Sequence, residues 1–188
     1  MTKVRSFIAI EIPEVIKKGL SGIKDVLKKT GADVSWTRPE GIHLTLKFLG
    51  EVEEGKLADI QKAIEESTKG ISAFLLEANG IGVFPNIRYP RVLWIGIKDK
   101  GDTLKTLEEA IDRETEKIGF EKEGRDFSPH LTLGRVRSQK NREILIKSLE
   151  EFDKIELGAF NVTEVSLIKS ELRPKGAVYT QLWKVALI

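Results

Sequence analysis

No cysteine occurs in the 188 residues, which excludes disulfides, thiolate nucleophiles, iron–sulfur clusters and cysteine-bound zinc together. Histidine is nearly as scarce, with two copies, and the chain holds one methionine, four asparagines and three glutamines. Few thermolabile residues and many Lys and Glu form the composition of a thermophile's protein. No run approaches 18 apolar residues, and the opening Met1 to Pro13 is a short apolar stretch broken by Glu11. Neither a membrane span nor a signal peptide is expected, and the expected location is the cytoplasm. No sign of charge dominates either. Lys and Arg number 31 against 29 Asp and Glu, a net +2, which cannot supply the broad positive field of a non-specific DNA binder. Any nucleic-acid contact has to be local.

What remains is 40% hydrophobic and 32% charged, the balance of a globular chain large enough to hide roughly 70% of its unfolded surface. Val4 to Ile12 alternates like a well-buried strand, and Ile16, Leu20, Ile23 and Leu27 then recur at helical spacing until Gly31. A loop with Trp36, Arg38 and Pro39 leads to a strand from His43 to Gly50. A helix with Leu57, Ile60 and Ile64 follows, then a strand or hairpin from Phe74 to Phe84. From Arg91 the order repeats: strand Val92 to Ile97, a helix through Leu104, Leu107 and Ile111, a strand around His130, and a helix from Asn141. Two long strands, about Phe160 to Leu172 and Val178 to Ile188, end the chain.

An offset of 87 residues carries His43 onto His130, Ile8 onto Ile95 and Leu20 onto Leu107. A period this long is no solenoid. It predicts an α+β fold from duplicated βαβαβ halves, forming two pseudo-symmetric lobes with antiparallel sheets around a central cleft. The Pro-bounded stretch Pro85 to Pro90 is a short joint, so residues 1–188 are expected to form a single bilobal domain.

Both histidines stand in the tetrapeptide His-Leu-Thr-Leu, one copy per half. Residues i and i+2 of a strand share a face, so His43 with Thr45, and His130 with Thr132, point away from the core that takes the leucines. Two imidazoles and two hydroxyls aimed at one groove suit phosphodiester cleavage. One neutral ring takes a proton from the attacking oxygen while the other, charged, protonates the leaving oxygen. The hydroxyls donate to the non-bridging phosphoryl oxygens. A single histidine in a strand is more often structural, but the repetition of the tetrapeptide disfavours that reading for the pair. Metal ligation fares worse still, because no Asp or Glu recurs at a matching offset near both motifs.

His43-Leu44-Thr45-Leu46-Lys47-Phe48-Leu49-Gly50 and Pro129-His130-Leu131-Thr132-Leu133-Gly134-Arg135 resemble the paired signatures of the two-histidine phosphoesterase superfamily. More narrowly they resemble its RNA 2′,3′-cyclic phosphodiesterase branch, also called the bacterial and archaeal 2′-5′ RNA ligases. Val4 to Ile10, Phe84-Pro85 and Arg91 to Trp94 share the likeness. The resemblance implies hydrolysis of RNA terminal 2′,3′-cyclic phosphate to a 2′-phosphate, without metal or other cofactor. It implies His43 as proton donor, His130 as acceptor that activates water, and Thr45 and Thr132 as phosphate ligands. Arg135 matches an arginine of the second motif; strict alternation puts it on the leucine face unless a bulge at Gly134 re-aims it.

By alternation Lys47 shares the His43 face and Phe48 falls among the leucines, to pack in the core. Trp36, Arg38, Phe84 and Arg91 are candidates for holding RNA by stacking and charge, with Arg88, Tyr89, Arg137, Lys140 and Arg142 as a basic rim. The expected partners are RNA 3′ ends bearing a cyclic phosphate, tRNA fragments among them, met by a monomer. Two alternatives use the same groove: a ligase joining RNA halves through a 2′-5′ linkage, and a nucleotide-binding module without turnover.

Overall fold

The computed structural model describes residues 2–174 and 176–188. The elements run β1 (Lys3–Glu11), α1 (Glu14–Lys28), β2 (Val34–Trp36), β3 (His43–Glu53), α2 (Leu57–Thr68), β4 (Phe74–Phe84) and β5 (Val92–Lys98). They continue with α3 (Thr103–Lys117), β6 (His130–Val136), α4 (Arg142–Glu150), β7 (Glu156–Val162), β8 (Glu164–Glu171) and β9 (Val178–Ala186). Two antiparallel sheets result, in the orders β3-β1-β8-β9 and β2-β6-β5-β4-β7. The α+β architecture with duplicated histidine strands is the expected one.

The halves of the sequence and the lobes of the structure do not coincide. β4, from the first half, pairs with β5 of the second, while β8 of the second half pairs with β1. The helices exchange as well: α3 lies against β3 and α2, and α1 lies against β7 and α4. One continuous core therefore joins apolar residues of both sheets, among them Ile8, Leu44, Ile95, Leu131 and Leu167, each contributing about 1.5–3 kcal/mol of burial. A small second cluster of Phe7, Ala9 and Ile168, with Tyr179 against it, covers the other face of the first sheet.

Three expectations are corrected. The loop before His43 contains β2, three residues paired with Val136, Arg135 and Gly134. A piece this short carries no periodic signal and exists because β6 offers it an edge. The long strand expected from Phe160 to Leu172 is two strands that separate at Thr163 and enter different sheets. Buried Phe160 and Val162 give way to buried Val165 and Leu167, so the alternation slips by one residue at the break. Finally, Glu11 faces His43 whereas Gly96 faces His130. β5 thus follows β1 by 85 residues while β6 follows β3 by 87. A slide of two residues preserves every facing in a period-two pattern and leaves no mark in the apolar spacing.

Candidate active site

Both histidine strands carry the same irregularity. On β3, Thr45 faces Ala9 and Lys47 faces Ile8, leaving Leu46 as the extra residue. On β6, Thr132 faces Trp94 and Gly134 faces Leu93, leaving Leu133, its counterpart 87 residues on. A bulge of this kind shifts the side-chain alternation by one position. Before it, His43 and Thr45, like His130 and Thr132, share the half-exposed face while Leu44 and Leu131 are buried, as alternation demands. After it the pattern inverts. Lys47 turns inward and is 5% exposed, whereas Phe48 turns out and is 67% exposed, the reverse of the expectation for both. The same inversion brings Arg135 onto the face of Thr132.

A cavity of about 370 Å³ lies where β3 and β6 approach each other; His43, Thr45 and Phe48 border it from one sheet, Thr132 and Arg135 from the other. His130 does not itself border this space. Its ring stands on the same strand face as Thr132, roughly 7 Å along the chain at two strand residues. It is held edge-on by Phe84 at 5.0 Å, with Trp94 at 6.3 Å.

The two imidazoles are held differently, His130 by a hydrogen bond and His43 mainly by packing. His130 Nδ1 donates to Ser128 O at 2.6 Å. A carbonyl can only accept, so Nδ1 carries the proton and Nε2 is left for other partners. The His43 ring meets Tyr179 at 5.2 Å and Phe7 at 5.7 Å, with the Gly41 backbone beside it. Burial among these rings disfavours the imidazolium; Lys17 adds repulsion, and the Gly41 backbone opposes both less strongly. The His43 pKa is lowered to about 4. Gly41 has to lack a side chain here, because a Cβ would lie 2.9 Å from the Tyr179 ring.

Lys47 serves the frame of the site. Its ammonium donates to Asp112 Oδ1 of α3 in a buried ion pair, and to Glu121 O at 2.8 Å. Asp112 also accepts the Glu123 N–H at 3.0 Å. Burial pushes this carboxyl up, but the Lys47 bond and the Glu123 amide outweigh it and hold Asp112 below its ordinary range. Neighbouring Glu108 is raised, first by burial and then by Asp112. The bulge that exposes Phe48 is therefore tied to the far side of the sheet through Lys47.

Of the RNA-contact candidates, Trp36 and Arg38 border a groove that adjoins this cavity, together with Arg135 and Arg137, and Phe84 braces His130. Arg91 is exposed at the start of β5 and does not border the cavity. Tyr89 lies under the Arg142 guanidinium at 5.6 Å and does not border the cavity. Tyr179, Ser6 and Thr37 border the cavity without having been singled out. Ser6 Oγ is buried with no hydrogen-bond partner among the described residues. Ser6 lies in the opening segment whose family likeness was the available signal; Tyr179 carries no motif. Among the described residues no three His, Asp or Glu side chains gather as metal ligands, and no helix is long and apolar enough to cross a membrane.

Two repeated strands, each carrying an imidazole and a hydroxyl on one face beside a shared cavity, fit a phosphoesterase, and comparison with known proteins gives the family. The LigT-like phosphoesterase model matches twice, over residues 10–94 and 95–179; the chain belongs to this family. It is 42% identical over 180 residues to the RNA 2′,3′-cyclic phosphodiesterase of Methanothermobacter thermautotrophicus, covering 96% of this chain and 97% of that one. To the protein of the same name from Methanocaldococcus jannaschii it is 36% identical, over 94% and 96% of the two chains. Among solved structures, TT0787 of Thermus thermophilus superposes with a TM-score of 0.83 at 28% identity over 97% of both chains. Escherichia coli LigT complexed with 3′-AMP, 24% identical over 98% of both chains, shares the fold at 0.77.

Proposed function

We propose that the protein hydrolyses the terminal 2′,3′-cyclic phosphodiester of RNA to a 2′-phosphomonoester, as one bilobal unit of residues 1–188. The observation that carries this reading is the cavity into which one half sends His43 and Thr45 and the other sends Thr132 and Arg135. The name shared by the archaeal relatives supports the substrate. Water attacks phosphorus in line with the ribose 3′-oxygen; His130 Nε2 takes the water proton, the P–O3′ bond breaks, and His43 protonates the departing oxygen. Thr45 and Thr132 donate to the non-bridging oxygens, and the planar Arg135 guanidinium meets two of them as their charge grows. No metal takes part. The partners are RNA 3′ ends with a cyclic phosphate, tRNA fragments among them, met in the cytoplasm by a monomer whose internal repeat already supplies a two-fold arrangement.

The donor role sets a condition on His43. With a pKa of about 4 it is neutral in the free protein at pH 7, and only a phosphate anion in the cavity can favour its charged form. Binding of an inert analogue of the cyclic diester, whose phosphate does not itself titrate near pH 6.5, is therefore expected to draw a proton from solution. Calorimetry in buffers of different ionisation enthalpy reads the uptake directly. An uptake near zero would remove His43 from the donor role.

Replacing Thr132 with alanine is expected to lower kcat by roughly 10²–10³-fold, the effect of losing one oxyanion donor; an unchanged rate would detach the hydroxyl from the phosphate. The activity itself is tested with a nucleoside 2′,3′-cyclic phosphate in excess chelator, the product followed by phosphorus NMR. A 2′-monoester is expected. No hydrolysis would refute the reading, and hydrolysis lost only in chelator would show that a metal takes part.

A further inference from the structure

Three depressions formed by the described residues adjoin the central cavity and share lining residues with it, and they differ in charge. The one reached past Phe48 and Gly50 carries Glu51, Glu53, Glu121 and Glu123 against three lysines. The one beside His43 and Tyr179 carries Glu11, Glu14 and Glu40 against Lys17. The third, about 800 Å³, continues from Arg135 and Thr37 past Arg38, Arg137 and Arg173, with Glu40 as its one acidic residue. A 2′,3′-cyclic phosphate ends an RNA chain, so the rest of the polymer can leave the site only on the 5′ side. Of these three routes, the third alone presents an excess of cations to a polyanion.

The walls of this groove are built rather than incidental. Gly134 lets β2 come close to β6, since a Cβ there would stand 2.7 Å from Val34 Cγ1 and 3.2 Å from the Trp36 ring. The following loop is tied down by Thr37 N–H to Leu133 O at 2.9 Å and by the buried Lys24 ammonium to Thr37 O at 2.7 Å. Arg38 donates to Ala177 O at 2.9 Å, which spans the groove from β2's end to the loop before β9. Arg137 donates to Ser35 Oγ at 3.1 Å. Arg173 meets Glu171 at 3.3 Å on an exposed surface, where the pairing is weak and yields readily to a phosphate. Half-buried Trp36 lies among these cations.

We propose that this groove is the track for the single-stranded RNA chain 5′ of the terminal nucleotide, with phosphates on Arg38, Arg137 and Arg173 and a base against Trp36. Alternating cations and an aromatic platform are how single strands are held without regard to sequence. The inference rests on the cyclic phosphodiesterase reading and extends it from the reacting nucleotide to the polymer behind it. It makes the protein an enzyme of RNA ends in preference to free cyclic nucleotides.

The test compares kcat/KM on a nucleoside 2′,3′-cyclic phosphate with that on a short single-stranded oligoribonucleotide ending in the same group. The wild type is expected to prefer the oligonucleotide by roughly tenfold or more at low salt, and to lose that preference as salt rises. The double variant Arg137→Ala/Arg173→Ala is expected to keep its mononucleotide rate within about twofold while the oligonucleotide rate falls roughly tenfold. The log–log salt slope should become shallower by about 1.4, at 0.7 per phosphate contact on a single strand. The charge-preserving Arg137→Lys/Arg173→Lys variant should retain the slope.

Equal losses on both substrates, or none on either, would overturn the proposal. So would a selective oligonucleotide loss in Lys56→Ala/Lys122→Ala, which would send the chain through the first depression instead. A wild type inactive on both substrates would refute the phosphodiesterase reading itself, and a wild type active on both without preference for the longer one would refute the track alone.

Discussion

Replacing His130 with alanine is expected to lower kcat on a nucleoside 2′,3′-cyclic phosphate by roughly 10²–10⁴-fold, the range for removing a positioned general acid or base. The fold should tolerate the change. His130 is half-exposed, its side chain bonds the nearby Ser128 carbonyl, and the residues that hold β6 in place are the buried Leu131 and Leu133. The melting temperature of His130→Ala should therefore stay within a few degrees of the wild type. His43→Ala should be as inactive, although it also leaves a gap between Phe7 and Tyr179. Acid and base act in one event, so the double variant should be little worse than either single one. Wild-type turnover in both single variants would remove the imidazoles from the chemistry.

The second large effect concerns stability. Lys47→Met is expected to destabilise the protein by about 3–5 kcal/mol, because it leaves the Asp112 carboxylate buried without its cation. At roughly 2–4 °C per kcal/mol for a chain of this size, the melting temperature falls by about 10 °C. Replacing both partners, Lys47→Met with Asp112→Leu, should recover most of the loss, since a buried pair can be exchanged for apolar side chains at little cost. The pH dependence follows from the lowered folded-state pKa of Asp112. Its contribution is complete above the ordinary aspartate value of about 4 and disappears as pH falls through the lower folded value. Thermal denaturation of the three proteins near neutral pH and in acid checks both parts. A Lys47→Met protein as stable as the wild type would show that the pair holds nothing in place. A partly folded Lys47→Met protein should also lose activity, since the ion pair and the Glu121 carbonyl hold the bulge that turns Phe48 toward the cavity.

Period-two alternation made the histidine and threonine faces legible from the sequence, and it failed one residue later for the same physical reason in both halves. A bulge at a leucine adds one more apolar residue to an apolar strand, so nothing in Leu46 or Leu133 announces it. Gly134 was the one visible hint, and its counterpart Lys47 gave none. The split at Thr163, by contrast, left a mark in the spacing: apolar residues at 160 and 162 resume at 165 and 167, a phase slip that needs either a bulge or a break, and here it is a break. The exchange of β4 and β8 between lobes was not legible, because each strand would bury equally well against its own half. The groove arginines at 38, 137 and 173 come from three distant segments that only the pairing of β2 with β6 and the loop before β9 bring together.

The central claim is that both imidazoles serve one phosphate. It is tested most directly by following the ring resonances of His43 and His130 by NMR while a nucleoside 2′-phosphate is added. Both rings should shift together, with a common dissociation constant and one equivalent of ligand, and Thr132→Ala should weaken both responses alike. If one ring responds while the other keeps its free-state resonance at saturation, the two histidines do not share a site and the account fails.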